Sequence, residues 1–277
     1  MHEVVIVVDA EIDASRQSVT SPSTTARMVA ALKQAILAEA TGSSTSRSHL
    51  ENSAQSISVI HNIQVCSVTQ LLHLEAIVNA SLPDVGVGAK KSESLLLCPL
   101  TLNLPNTFTW ARQTIYQQCR DVDGLQQLVE QQLGCSIGQG CYWLPIVYTK
   151  KGPLYGEAIT LTNEQVFEES LNNPPLSYSQ PCHLSDAWRQ QLYELGYRLL
   201  QMLSAPPATY LLQFGFQGRA ICFDRLWPFP AAPAIASLGV QTPDLFACHW
   251  RCLTGQPILD LVVPASARYQ IYSGELT

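Results

Sequence analysis

Residues 209–257 read TYLLQFGFQGRAICFDRLWPFPAAPAIASLGVQTPDLFACHWRCLTGQP. Two apolar runs rich in β-forming residues, Tyr210–Phe216 and Arg219–Phe223, are separated by a Gln-Gly pair and predict a β-hairpin. A proline-rich loop follows from Trp227 to Pro233, and an apolar run with helical periodicity extends from Thr242 to about Leu253. We therefore expect a hairpin, a stiff loop and a packed helix in succession.

The composition indicates a globular protein with a lightly charged surface. Hydrophobic residues make up 47% of the 277-residue chain and charged residues 14%, which allows one large core or two modest ones. The net charge of −6, with scattered Lys and Arg, argues against a nucleic-acid-binding protein, which needs clustered cations to displace counterions. The sparse charge favours a protein partner that covers part of the surface.

Neither a membrane span nor a disulfide framework is expected. The sequence contains no run of 18 apolar residues, and its amino terminus leads directly into a strand pattern. The nine cysteines form no CxxC pair, and several lie in apolar runs, where a thiol behaves as a small hydrophobic side chain. These features predict a cytoplasmic protein with reduced cysteines.

The amino-terminal part of the chain predicts a small α/β unit over residues 1–85. Val4–Val8 is a β-branched run typical of a strand that is buried on both faces. A capped helix is expected over residues 21–40, followed by a polar, flexible loop over residues 41–56 and a second strand over residues 58–68.

A larger domain, built from antiparallel strands backed by helices, is expected over residues 86–277. Cys141–Tyr148 and Leu154–Leu161 flank a Lys-Lys-Gly-Pro turn and predict a second hairpin. Residues 170–182 predict a loop interrupted by prolines, and residues 184–203 predict an amphipathic helix. The overall prediction is an α/β or α+β fold.

The order of elements over residues 142–257 resembles the carboxyl-terminal part of the ATP-grasp fold. In that family a helix leads into two antiparallel strands that carry acidic residues, then into an Asn-Pro-Arg-type loop and a last helix that ends near a Gly-Glu-Pro-like turn. The corresponding segments here are YLLQFGF (residues 210–216), AICFDRLWPFPA (residues 220–231) and GVQTPDLFACHWRCLTGQP (residues 239–257).

The resemblance implies a damaged metal site. ATP-grasp ligases hold Mg²⁺ with carboxylates and an Asn on the two strands, because hard divalent cations prefer oxygen ligands. By position, the first carboxylate falls at Gln213, the second at Asp224 and the Asn at Leu226. The loop Arg falls at Pro228, although Arg225 is close by. Asp224 alone is then expected to hold a metal only weakly.

A nucleotide site, if one is present, is expected to combine this region with the basic turn of the second hairpin. Its candidate residues are Lys150, Lys151, Gln213, Asp224 and Arg225. The resemblance implies ATP and Mg²⁺ as cofactors if the ligase chemistry is retained, and no cofactor if it is lost.

Three further groups of residues allow both a functional and a structural interpretation. Acids at alternate positions after the first strand could bind a cation or form a solvated strand end: Asp9, Glu11 and Asp13. The turn Gly134–Gly140 could cover a phosphate or simply connect two elements. A soft metal site or buried structural thiols could account for Cys182, His183, Cys248, His249 and Cys252. The structural interpretation is favoured for all three, since no complete motif accompanies them.

Two hypotheses for the function follow. The first is a non-catalytic interaction, assembly or regulatory protein on a degenerate ATP-grasp-like scaffold, and the missing ligands favour it. The second is an ATP- and Mg²⁺-dependent carboxylate–amine ligase that uses Asp224, a Lys of the basic turn, and Glu157 or Glu164. Trp227 and Phe229 either fill the core or form a surface for a protein partner. An empty, acid-lined cleft beside Asp224 would favour the ligase, and a cleft filled by these aromatic residues would favour the scaffold.

Overall fold

The computed structural model describes residues 2–13, 18–19, 23–45, 60–71, 94–106, 109–162, 176–264 and 272–274. The chain forms two compact units, Met1–Thr109 and Trp110–Thr277. All nine cysteines are free thiols. No helix within the described ranges is long and apolar enough to cross a membrane.

The first unit is built on a parallel sheet with the strand order β4-β1-β5. Its strands are β1 (His2–Val8), β4 (Ile60–Ser67) and β5 (Ser94–Pro99). Two short strands, β2 (Ile12–Asp13) and β3 (Ser18–Val19), form an antiparallel pair between β1 and helix α1 (Thr24–Thr45). Val4–Val8 is buried throughout, which confirms the prediction of a strand covered on both faces.

Two predictions for this part of the chain are wrong. The boundary falls after Thr109 and not after residue 85, because β5 pairs with β1 from His2–Ser94 to Val7–Pro99 and thereby belongs to the first sheet. Residues 41–45 continue α1 and are not part of a flexible loop, and residues 46–56 of that predicted loop lie outside the described residues.

The second unit is built on an eight-stranded sheet with the order β13-β10-β9-β7-β11-β12-β6, in which β8 also pairs with β7. Its strands are β6 (Ser136–Ile137), β7 (Tyr142–Thr149), β8 (Gly152–Tyr155), β9 (Ala158–Thr162), β10 (Leu176–Cys182), β11 (Ala208–Gln217), β12 (Ala220–Trp227) and β13 (Tyr272–Gly274). The predicted central hairpin is therefore β11–β12.

The prediction of a loop over residues 170–182 is wrong for its second half, which forms β10. Ser177 pairs with Thr162 and Tyr178 with Leu161, so the segment continues the sheet beyond β9. Burial of Ser177, Tyr178 and Ser179 shows that tertiary contacts outweigh the low strand propensity of a segment rich in Ser and Pro.

Three of the helices described in this unit begin at a side-chain cap. They are α2 (Gln113–Arg120), α3 (Val122–Leu128) with a π-helical turn (Val129–Leu133), α4 (Asp186–Met202), a 3₁₀ turn (Ala232–Ser237) and α5 (Leu245–Thr254). Asp121, Ser185 and Asp244 cap the starts of α3, α4 and α5 by accepting backbone N–H groups. Left-handed Gly134 and Gly255 end the π-helical turn and α5.

Helices pack on both faces of the sheet at its neighbouring strands β7 and β11. A Cβ atom on Gly196 of α4 would lie 2.5 Å from Ile146 Cδ1 and 3.7 Å from Leu212 Cδ1, so α4 packs closely on that face. On the opposite face, the Thr209 hydroxyl donates to the carbonyl oxygen of Leu245 in α5. Because side chains alternate along a strand, Gln213 lies on the same face as Thr209.

Candidate functional site

A β-bulge in the central hairpin brings three polar side chains to one point. Gln213 pairs with Arg225, whereas the next residue of β11, Phe214, pairs with Phe223, so Asp224 is an extra residue in β12. In such a bulge two consecutive residues oppose one residue of the neighbouring strand. Asp224 and Arg225 therefore both lie opposite Gln213, at the position where the resemblance places the metal ligands.

The carboxylate of Asp224 is buried and accepts three hydrogen bonds. Its Oδ2 accepts from the Gly140 backbone N–H at 2.8 Å and from Gln213 Nε2 at 3.1 Å. Its Oδ1 accepts from Arg225 Nε at 3.1 Å. The Asp224 side chain is 8% exposed and that of Arg225 is 37% exposed. The guanidinium of Arg225 thus supplies a positive charge next to the Asp224 carboxylate.

The side-chain amide of Gln213 is also fully used. Its Nε2 donates to the Gly140 carbonyl oxygen at 2.7 Å as well as to Asp224, and its Oε1 accepts from Trp227 Nε1 at 3.0 Å. The Arg225 guanidinium carbon lies 5.7 Å from the centroid of the Trp227 ring. We call these four side chains, Gln213, Asp224, Arg225 and Trp227, the bulge network.

The loop after the π-helical turn lies directly on the bulge. A Cβ atom on Gly140 would lie 2.2 Å from the Phe214 carbonyl oxygen, and one on Gly215 would lie 2.4 Å from the Gln139 carbonyl oxygen. Only glycine permits such a close approach of two backbones. The N–H of Gly138 donates to the Phe223 carbonyl oxygen and that of Gly140 to Asp224. This geometry supports the structural interpretation of the Gly134–Gly140 turn.

The remaining positions that the resemblance assigns to ligands carry apolar side chains. Leu226 is fully buried and pairs with Leu212, whose side chain faces α4. Pro228, at the position of the loop Arg, is also buried. Neither side chain has a polar atom with which to bind a metal or a phosphate.

The structure does not bring the lysine pair to the bulge. Trp143 of β7 lies opposite Gln213, whereas Lys150 and Lys151 form the exposed turn after Thr149, at the far end of the same strand. At about 3.3 Å per residue, that turn lies roughly 20 Å along β7 from Gln213. The five predicted nucleotide-binding residues therefore separate into a lysine turn and a bulge cluster.

The aromatic residues after β12 fill space beside the bulge. Phe229 is 2% exposed and stacks on Tyr116 with ring centroids 5.8 Å apart. Its place in the core makes the prediction of Phe229 as part of a partner surface wrong. Trp227 is half-buried, and its indole nitrogen donates to Gln213, so its side chain occupies space beside Asp224.

The acids that the ligase hypothesis needs have partners of their own or lie elsewhere. Glu157 contacts Arg189 at 3.4 Å and His183 at 3.9 Å, outside the bulge network. Glu164 lies outside the described residues.

The three acids after β1 were considered as a possible cation site. One of them, Asp9, accepts a hydrogen bond from Asn103 Nδ2 at 2.5 Å.

Three of the five cysteine and histidine residues considered for a soft metal site belong to the core. Cys248, His249 and Cys252 are buried, whereas His183 is exposed. His249 Nδ1 accepts from the Thr209 backbone N–H at 3.2 Å. Burial, followed by the nearby charge of Arg112, lowers the pKa of His249 to about 3 and keeps the ring neutral. Among the residues the structure describes, no group of three or more His, Cys, Asp or Glu is arranged to hold a metal ion.

A cavity of about 300 Å³ lies away from the bulge network, on the α4 side of the sheet. Its lining combines apolar side chains, Leu133, Leu195 and Ile221, with the ion pair of Glu194 and Arg198. Because Gln213 lies on the opposite face, this cavity does not belong to the same site.

Sequence reasoning missed the bulge and the part that Gly140 plays in it. Two adjacent charged residues, Asp224 and Arg225, interrupt an otherwise apolar strand. This interruption was the available signal for a bulge. Gly140 stood out only as part of the glycine-rich turn, and its contacts with Gln213 and Asp224 could not be foreseen because they span 73 and 84 residues of sequence.

Solved structures with a similar fold share little sequence with this chain. Glycinamide-RNase-transformylase T from Mycobacterium tuberculosis matches 92% of this chain and 80% of its own, with a TM-score of 0.57 and 14% identity. N5-carboxyaminoimidazole ribonucleotide synthetase from Thermotoga maritima matches 94% of this chain and 78% of its own, with a TM-score of 0.56 and 9% identity. An ATP-grasp superfamily protein from Archaeoglobus fulgidus matches 100% of both chains, with a TM-score of 0.52 and 10% identity.

No protein-family model and no curated protein sequence matches the chain. Identities of 9–14% in the structural matches bear on the fold and not on the reaction. These matches extend over almost the whole chain, well beyond the segment of residues 142–257 in which the sequence shows the resemblance. The resemblance is confirmed, and the chain has an ATP-grasp fold.

Proposed function

We propose that this protein is a non-catalytic member of the ATP-grasp structural class, with an interaction, assembly or regulatory role. The observation that carries the proposal is the Asp224 carboxylate, which is buried and already accepts hydrogen bonds from Gly140, Gln213 and Arg225. A metal ion would have to compete with these three donors and with the positive charge of Arg225 for the single carboxylate of the bulge network.

The chemistry of the bulge network supports this proposal. Mg²⁺ requires several oxygen ligands in nearly octahedral geometry, and phosphoryl transfer needs the metal to neutralise charge on the phosphate oxygens. Here the amide oxygen of Gln213 is occupied by Trp227, and the guanidinium of Arg225 repels a second cation. The residues present do not fit a divalent metal, so no step of a ligase reaction is assigned to them.

A protein partner belongs to the same proposal. Only 14% of the residues are charged, which is low for a surface that faces water on all sides. We therefore expect a partner protein to cover part of the surface.

The alternative is an ATP-dependent carboxylate–amine ligase, and the structural matches by themselves favour it. One of the matched proteins is named a synthetase and another a transformylase, and a shared fold is compatible with shared chemistry. For this chain the alternative requires Arg225 to leave Asp224 and expose the carboxylate to Mg²⁺. It also requires phosphate-binding cations other than the distant lysine turn.

Calorimetric titration of ATP and ADP, with and without Mg²⁺, tests the proposal on the wild type, on Asp224→Ala and on the exposed control Asp260→Ala. We expect Mg²⁺ to leave nucleotide affinity unchanged and ATP to remain intact after long incubation with the protein. Binding that requires Mg²⁺, is lost in Asp224→Ala and persists in Asp260→Ala would establish the ligase alternative instead.

A further inference from the structure

The guanidinium of Arg225 is held in place from one side only. Its Nε donates to Asp224, and its plane lies near the ring of Trp227. Among the described residues, no hydrogen bond is formed by its two terminal nitrogens, Nη1 and Nη2, and no second carboxylate lies within 4 Å. The side chain is 37% exposed, so these nitrogens can be reached from solvent.

Such an arrangement is suited to binding an oxyanion. A guanidinium presents two parallel N–H groups that match two oxygens of a phosphate or carboxylate, and the resulting charge-assisted bonds are among the strongest in proteins. Fixing the group in advance reduces the conformational entropy lost on binding, and both Asp224 and Trp227 fix it. The fork of Arg225 is therefore preorganised.

The charge balance favours a phosphate over a carboxylate. Asp224 offsets the single positive charge of Arg225, so the pair as a whole is neutral. A doubly charged phosphate gains more from the exposed side of such a pair than a singly charged carboxylate does, and it offers a third oxygen to further donors.

We propose that Arg225 binds a phosphate group directly through Nη1 and Nη2, without a metal ion. The guanidinium then takes over the part that a divalent cation plays in an ATP-grasp ligase, as a fixed charge that holds an anion but cannot promote its transfer. This inference rests on the proposed non-catalytic function and adds the ligand class to it. The phosphate can come from a nucleotide or from a smaller phosphate compound, and the experiment separates the two sources.

The test is calorimetric titration of inorganic phosphate, AMP, ADP and adenosine in the presence of EDTA. The proteins compared are the wild type, Arg225→Gln, Arg225→Lys and the matched control Arg198→Gln, whose arginine is also half-exposed and also paired with a carboxylate, Glu194. We expect binding of the phosphate compounds by the wild type and a loss of at least about 10-fold in Arg225→Gln, the factor expected for a charged two-bond contact.

Arg225→Lys should lose part of the affinity, because it keeps the charge but not the fork, and Arg198→Gln should lose none. Tighter binding of AMP and ADP than of inorganic phosphate would identify a nucleotide as the source. Equal binding of all three would identify the phosphate group alone. In either case adenosine should bind far more weakly.

A second measurement needs only the wild-type protein. In the wild type, the NMR signals of the Arg225 guanidinium should shift when phosphate is added in EDTA, whereas those of Arg198 should not. Unchanged Arg225 signals, or equal affinity in Arg225→Gln and wild type, would overturn the inference and leave the proposed function intact. Affinity that appears only with Mg²⁺ and depends on Asp224 would overturn the proposed function itself.

Discussion

The indole nitrogen of Trp227 donates a 3.0 Å hydrogen bond to the side-chain oxygen of Gln213. The resemblance of the sequence to the ATP-grasp pattern led us to expect a Mg²⁺-binding carboxylate at this position. A carboxylate at position 213 could not donate to Gly140 and Asp224 as the Gln213 amide does. The amide of Gln213 is thus the centre of a hydrogen-bonded network that a carboxylate at this position could not form.

Two further acids at the bulge should create a metal site. The double variant Gln213→Glu, Arg225→Glu places three carboxylates, with Asp224, at the bulge, where they repel each other unless a cation joins them. We expect millimolar Mn²⁺ to raise its melting temperature by about 3–5 °C, as for a ligand at roughly ten times its Kd, and to leave the wild type unchanged.

Differential scanning calorimetry in Mn²⁺ and in EDTA provides the measurement for this variant. A matched triple variant that adds Asp224→Asn should lose most of the gain. An equal shift in the wild type would show that the bulge network already accepts a metal.

Neutralising Asp224 should destabilise the protein. In Asp224→Asn the side chain loses the negative charge that holds Arg225. One of the two carboxylate oxygens is also replaced by an NH₂ group, which cannot accept a hydrogen bond from the N–H groups that surround Asp224. Since Arg225 is partly exposed and solvent screens the pair, we expect a loss of about 2–3 kcal/mol in the free energy of unfolding. Urea denaturation measures it, with the exposed residue Asp260→Asn as the control, and equal stability of the two variants would contradict the assignment.

Gly140 should tolerate no side chain. A methyl group there would lie 2.2 Å from the Phe214 carbonyl oxygen, so the loop has to lift from the hairpin and release its bonds to Gln213 and Asp224. We expect Gly140→Ala to cost about 2–4 kcal/mol. In Gly218→Ala the new methyl group meets no atom within 4 Å, and only the left-handed backbone is strained, so a loss of about 1 kcal/mol is expected.

The two glycine variants can be compared by urea denaturation and by intrinsic tryptophan fluorescence. Gly140→Ala should also change the emission of Trp227, because the network to which the indole donates is disturbed. A larger loss in Gly218→Ala than in Gly140→Ala would contradict the close approach of the loop to the hairpin.

His249 should make the protein sensitive to acid. Its pKa is lowered to about 3 in the folded state, whereas an unperturbed His titrates near 6.5, so below pH 6.5 the unfolded chain binds a proton that the folded chain does not. The contribution of His249 is therefore complete above about pH 6.5 and declines as the pH falls towards 3, by up to about 1.4 kcal/mol per pH unit.

Urea denaturation between pH 7 and pH 4 measures this slope. His249→Asn, whose oxygen can accept from the Thr209 N–H, should flatten it, and the exposed variant His183→Asn should not. If the pH dependence of the free energy of unfolding is unchanged in His249→Asn, residues other than His249 cause the acid sensitivity.

Local pattern was sufficient for most of the fold. The apolar run Tyr210–Phe216 predicted β11, the β-branched run Val4–Val8 predicted a doubly buried strand, and the apolar stripe of residues 184–203 predicted α4. These features depend on side chains two to four residues apart, so they can be read from the sequence alone. The residue types at Gln213 and Leu226 also showed, without a structure, that neither side chain carries a carboxylate.

Only the tertiary structure decided which contacts the polar residues of the bulge make. The bulge sets Asp224 and Arg225 on the same side of the hairpin, and a strict alternation of side chains would have separated them. The same is true of β5, which joins the first sheet through partners more than 90 residues away in sequence, and of β10, where burial outweighs propensity. By itself, the sequence determined which polar groups are present, because residue type defines donors, acceptors and charge. Which of them meet was decided by long-range backbone packing, because pairing between distant strands and the approach of Gly140 to Phe214 leave no periodic trace in the chain.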